Sequence, residues 1–142
     1  MNWQTLSTDS PYRTAVAIKQ EIEEGRIAEA TLGLQELIEA LFRSEKRALK
    51  RQLVRLMLHI IKWRAQPERR SLSWIARIED ARDEIADIRE ETPSLNEKVL
   101  QDLLARAFII AKRDAEAEMG KRTQIETLTW AEVFDTTYSL GR

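Results

Sequence analysis

Leu49-Lys50-Arg51-Gln52-Leu53-Val54-Arg55-Leu56-Met57-Leu58-His59-Ile60-Ile61-Lys62-Trp63 decides the fold class. Leu49, Leu53, Leu56, Ile60 and Trp63 recur at alternating spacings of four and three, the period of a helix with one apolar side. Arg43, Arg47, Arg51 and Arg55 fall on the opposite side of the same wheel. In the second half of this stretch, the entry of Val54, Leu58 and Ile61 onto the polar side marks the buried centre of a bundle. Upstream, Ile27, Leu34, Ile38 and Leu41 keep helical spacing, and neither glycine nor proline interrupts the chain from Leu34 to Gln66. Pro67 ends the run, because its ring and missing N–H oppose a continuing helix. One helix over Ala28–Ala65 would be ~57 Å long at 1.5 Å per residue. A compact globule of this chain length is only ~38 Å across. The expectation is therefore a break near Arg43–Glu45, with Ser44 as the new N-cap, and a helix projecting from the bundle as the alternative.

Helix punctuation continues outward on both sides. Ser10 before Pro11 is an N-cap and first-position pair, and Gly25 suits the stop of a helix over Pro11–Glu24. Ser71 can cap the helix that carries Trp74, Ile75, Ile78, Ile85 and Ile88 and ends near Thr92–Pro93. Ser94 with Glu97 reads as a capping box for the helix of Val99, Leu100, Leu103, Leu104, Ala107, Phe108 and Ala111 towards Gly120. Thr129 with Glu132 repeats the pattern before a short helix bearing Trp130, Val133 and Phe134. No stretch sustains period-two alternation. These signals predict an all-α, single-domain helical bundle of about five helices around a long central helix. It spans residues 11–137, between an N-terminal arm (1–10) and a loose C-terminal tail (138–142).

Composition excludes much chemistry. With 43% hydrophobic and 33% charged residues and a net charge of −1, the chain is too apolar and too neutral to be disordered. The absence of cysteine removes disulfides, thiolate zinc sites, iron–sulfur clusters and a cysteine nucleophile. The single histidine excludes a multi-histidine metal site, and a Glu-x-x-His signature would need glutamate where Leu56 stands. Phosphate-binding glycine loops and nucleophile elbows are missing. No metal, no cofactor and no nameable enzyme class is expected. Without an apolar run of ~18–20 residues or a signal-peptide layout, the expectation is a cytoplasmic protein with no membrane partner.

Charge is segregated along the chain. Arg43–Arg77 carries eleven bases against two acids, whereas the flanking stretches Met1–Phe42 and Ile78–Glu118 are net acidic. Arg43, Arg47, Arg51 and Arg55 could bind a polyanion by phosphate contacts. A solvated face paired with the acidic helix Glu79–Glu91 is the favoured reading, because the sequence pI is only about 6.0. A denser constellation surrounds the Pro67 turn: His59, Lys62, Trp63, Glu68, Arg69, Arg70 and Trp74. It could cradle an anion between Arg69, Arg70 and the helix N-terminus at Ser71. Packing is the favoured alternative, with Trp63 against Trp74, Glu68 paired with an arginine, and His59 facing inward onto a polar group.

His59-Ile60-Ile61-Lys62-Trp63, followed by Gln66-Pro67-Glu68-Arg69-Arg70-Ser71 and Ser73-Trp74, strongly resembles the bacterial family known as domain of unknown function twenty-nine. Leu34-Gln35-Glu36-Leu37-Ile38-Glu39-Ala40-Leu41 and Ser44-Glu45-Lys46-Arg47-Ala48-Leu49 extend the likeness upstream. Thr92-Pro93-Ser94-Leu95, Ala107-Phe108, Glu118-Met119-Gly120 and Leu128-Thr129-Trp130 extend it downstream. Leu37 and Phe108 depart from the family's acidic residue and tyrosine, and its opening Asp-Phe-Tyr-x-x-Trp pattern is not visible in Asp9–Ile22. The resemblance implies an all-helical bacterial domain and draws attention to the His59–Trp74 corner. The leading functional expectation is a non-catalytic interaction module, protein-binding or self-associating. A nucleic-acid accessory protein using residues 43–55 and a small-anion or ligand-binding domain at residues 59–74 are the alternatives.

Overall fold

A computed structural model of the chain describes residues 1–141, which form five α-helices, one 3-10 turn and one π-helical turn, with no strand among them. The helices are α1 (Trp3–Asp9), α2 (Pro11–Glu23), α3 (Ile27–Ala65), α4 (Leu72–Glu91) and α5 (Glu97–Met119). The fold is all-α, as the periodicity requires. Among the described residues no helix is long and apolar enough to cross a membrane. The chain forms two compact units, Met1–Arg47 and the segment from Ala48 onward.

The expected break near Ser44 is absent, since α3 runs unbroken for 39 residues. The size limit assumed one globule around one core, but α3 gives its N-terminal half to one unit and its C-terminal half to the other. Ser44 gains nothing from leaving the helix: the residues after it, Glu45 to Leu49, are good helix formers, and an interior serine costs only a few tenths of a kcal/mol.

In the first unit, the expected N-terminal arm contains a helix. Asn2 caps α1 by accepting from the Thr5 N–H at 3.1 Å, and Trp3 is buried with Ile18 and Ala30. The Trp3 indole N–H donates to Glu29 Oε1 at 2.8 Å. The ring lies over Gly33, where an added Cβ would stand 2.8 Å from Trp3 Cε3 and Cζ3. This close approach explains a glycine inside a helix. The inward residues of this part of α3 are Ala30, Gly33 and Ala40, whereas Ile27, Leu34, Ile38 and Leu41, the apolar series read from the sequence, are exposed. Ser10 caps α2 as expected, accepting from the Arg13 N–H. Arg26 bonds to Glu21 and Glu24, and its hydrogen bond holds the Glu21 carboxyl below the usual range.

In the second unit, Leu49, Leu53, Leu56, Ile60 and Trp63 are buried, as their spacing predicts. Ile78, Ala81 and Ile85 of α4 are buried too, as are Leu100, Leu103, Ala107, Ala111 and Ala115 of α5. Alanines on the inner face of α5 permit close helix packing. Ser71 caps α4, accepting from the Trp74 N–H at 3.2 Å. The cap of α5 is Asn96 rather than Ser94, because Thr92–Leu95 first closes a turn that buries Leu95. Asn96 Oδ1 accepts from Val99 N–H at 3.1 Å. Gly120 ends α5 in the left-handed region at φ 68°. Thr129 and Glu132 form the expected reciprocal capping box at 2.9 and 3.1 Å, although the turn that follows, Ala131–Asp135, is π-helical.

The segment after that turn is held down by Arg82. Its guanidinium donates to the carbonyls of Val133, Thr136 and Glu132 at 2.8, 2.8 and 3.1 Å. Tyr138, at the start of the expected tail, donates its hydroxyl to Glu132 O at 2.7 Å and meets Trp63 edge-on at 5.6 Å. Burial raises its phenol pKa and lowers that of Arg82. Position 142 of that tail lies outside the described residues.

Candidate basic cleft

α3 and the first two turns of α4 meet along a cleft of about 600 Å³ in the second unit. From α3 it receives Arg51, Arg55, His59 and Lys62, which repeat every three or four residues and so share one face. Ser73, Trp74 and Arg77 do the same from α4, and Glu118 of α5 contributes the one carboxylate. Arg55 is engaged by Asp80 at 2.8 Å. Lys62 is held by Glu118 at 3.1 Å and lies 5.0 Å over the Trp74 ring, which keeps its ammonium at the cleft wall. Arg51 and Arg77 make no ion pair among the described residues and are exposed. Because Ser71 accepts only from Trp74, the first N–H groups of α4 remain available as donors beside Ser73.

His59 is 9% exposed and lines the same cleft. Its Nδ1 stands 2.8 Å from the Arg55 carbonyl oxygen. A carbonyl can only accept, so Nδ1 carries the hydrogen and Nε2 of the neutral ring presents a lone pair. Burial pushes the imidazole pKa down; the bond to Arg55 opposes that, while Lys62 and Arg77 reinforce it.

The corner expected from the sequence divides in two. His59, Lys62 and Trp74 are brought together in the cleft, but Trp63 is turned away, 5% exposed, against Tyr138. Each tryptophan instead has a cation over its ring, Lys62 on Trp74 and Arg70 on Trp63 at 4.8 Å. Adjacent residues on a helix point about 100° apart, and here Lys62 faces the cleft while Trp63 faces Tyr138. Arg70 also donates to the Trp63 carbonyl at 2.9 Å, which makes it a corner clamp. Glu68 and Arg69 are exposed on the 3-10 turn Pro67–Arg69, and among the described residues Glu68 pairs with no arginine. Of the four-arginine stripe, Arg43 and Arg47 belong to the first unit, whereas Arg51 and Arg55 line the cleft. Arg77 and Glu118 were not singled out from sequence, though the i, i+3 relation of Trp74 to Arg77 was readable. Among the described residues no cluster of three or more His, Asp or Glu could hold a metal ion.

The family model described as domain of unknown function DUF29 matches residues 14–139. The chain belongs to this family. The match spans α3, α4 and α5, and therefore every residue of the cleft. Among the curated proteins and the solved structures nothing matches the chain. For this DUF29 chain the chemistry of the cleft must be read from its own groups. They are chiefly hydrogen-bond donors and positive charges, with the Glu118 carboxylate and the His59 ring among them.

Proposed function

We propose that this DUF29 chain is a non-catalytic helical interaction module whose working surface is the basic cleft and whose partner presents a compact anionic group. The observation that carries this reading is the convergence of Arg51, Arg55, Lys62 and Arg77 on one concavity containing a single carboxylate, Glu118. Two of these cations, Arg51 and Arg77, have no ion-pair partner among the described residues, and the N-terminus of α4 adds neutral donors. A duplex is disfavoured, because it presents a charge every ~1.7 Å of axis and needs an extended basic track. Glu79, Asp80, Asp83 and Glu84 are exposed along α4, so a continuous phosphate backbone would meet carboxylates. A bacterial setting belongs to the same proposal, on the strength of the family resemblance, and so does a cytoplasmic one.

Isothermal titration at low salt with inorganic phosphate and sulfate, alongside a short DNA duplex, tests the reading. Saturable binding of at least one of the small anions is expected, with the duplex weaker. The double variant R51E/R77E should lose it while keeping its helical circular dichroism, since both side chains are exposed. Silence towards both ions, or unchanged binding by the double variant, would overturn the proposal.

A further inference from the structure

Given that the cleft is the binding surface, we infer that the anion it takes is a phosphate monoester, and that His59 and this ligand share one proton across Nε2. His59 is nine-tenths buried, yet Nε2 has no hydrogen-bond partner in the protein. Among the described residues no solvent-sealed side-chain nitrogen or oxygen lacks a partner, so Nε2 is open, and the surface His59 lines is the cleft. The structure thus holds a fixed lone pair inside a ring of cations. The charged groups that face it are Arg55 and Lys62 from its own helix, Arg77 from α4 and Glu118 from α5.

A lone pair in a cationic cleft is a poor match for an anion without a proton. A sulfate ester or a carboxylate would set oxygen lone pairs against Nε2, unless His59 were first charged against Lys62, Arg77 and its own burial. A phosphate monoester differs because its second pKa is ~6. Its monoanion carries a P–OH that donates to Nε2, and its dianion accepts from the protonated ring. Both descriptions contain the same atoms and charge: one proton, drawn from solvent when the free ligand is the dianion, lies between oxygen and nitrogen. The other two non-bridging oxygens can then take the remaining donors, Arg51, Arg77 and the Ser73 end of α4. Even with Asp80 engaging Arg55 and Glu118 engaging Lys62, the four cations of the cleft leave a net positive charge, carried by Arg51 and Arg77, that suits a doubly charged group better than a singly charged one.

Phenyl phosphate and phenyl sulfate are the probes, titrated calorimetrically across pH in buffers of differing ionisation enthalpy. The expected result is preference for the phosphate, uptake approaching one proton per ligand at pH 7.5, and affinity falling nearly tenfold per unit between about pH 7 and 8. The variant H59Q replaces the ring with a donor that does not titrate, so the slope and the proton uptake should vanish. Because His59 is the single histidine of the chain, its imidazole signal in NMR needs no assignment, and phenyl phosphate should raise its pKa. This readout on wild type keeps the test decisive even if H59Q folds poorly. A short phosphoserine peptide separates the two sources of the ligand: tighter binding than phenyl phosphate places the group on a polypeptide, weaker binding on a free small molecule. Equal affinity for the two phenyl esters without proton uptake, or an imidazole pKa unmoved by bound phosphate, overturns this inference and leaves the anion-binding module standing. No binding of either ester at any pH removes both.

Discussion

Gly33→Ala should destabilise the first unit, although helix propensity alone predicts the reverse. In the interior of α3 an alanine gains about 1 kcal/mol over glycine. The added Cβ would stand 2.8 Å from two ring carbons of Trp3 and 2.9 Å from Ile18 Cγ1, whereas carbon atoms rest at about 3.5–4.0 Å. Relief requires the indole to retreat by roughly 1 Å. That ring is planar and rigid, and its N–H is tethered to Glu29 on the same helix as Gly33, so the tether must lengthen as the ring moves. Overpacking of this kind costs about 1–3 kcal/mol and a weakened hydrogen bond about 0.5–1.5. Set against the propensity gain, the net loss is about 1–3 kcal/mol. Hydrogen exchange of α1 and α2 amides is the suitable assay, because it reports on this unit separately from the second. Faster exchange in α1 with unchanged exchange in α5 is expected. An alanine variant whose α1 amides are equally or better protected would refute the close approach of Trp3 to α3.

Three further outcomes follow from the second unit. Arg82→Ala should cost about 2–3 kcal/mol, because several backbone carbonyls lose a charged donor together; an unchanged urea midpoint would refute the clamp. Trp63→Ala should cost about 3–5 kcal/mol through the cavity it leaves, and Trp74→Ala, half-exposed at the cleft, only about 1–2; equal losses would contradict the division of the corner. The lowered pKa of His59 means the folded state binds fewer protons there than the unfolded state, so its contribution is present above about pH 6.5 and lost as pH falls through the folded value. Urea midpoints at neutral and mildly acidic pH should therefore converge more for H59Q than for wild type, and a parallel loss in both proteins would refute the burial of the ring.

The parts of the fold that local chemistry determines were legible. Ser10, Ser71, Gly120 and the Thr129–Glu132 pair each act within a few residues of themselves, and each stands where the sequence placed it. The helix α1 escaped notice because WQTLSTD has no repeating apolar stripe; its order comes from Trp3 reaching Glu29 and Gly33, a tertiary contact. Asn96 and Ser94 are both competent caps, and only the need to bury Leu95 selects between them. At the site, periodicity correctly put His59 and Lys62 on one face. The same spacing made Trp63 an i, i+4 neighbour of His59, but Trp63 lies on the far side of His59 from Lys62 and is buried against Tyr138, outside the cleft. Tyr138 left no trace in the pattern, because what fastens its segment is a distant arginine.

That arginine has an evolutionary consequence. Arg82 grips Glu132, Val133 and Thr136 through their main-chain oxygens alone, so this contact places no demand on which side chains those positions carry. Substitutions there can accumulate without any compensating change at position 82. A comparison of many sequences for paired changes would find none between Arg82 and these three positions; only Tyr138, whose ring lies 5.5 Å from the guanidinium, meets it through a side chain. The three carbonyl contacts would register only as an arginine that persists, and the turn it grips would look unanchored.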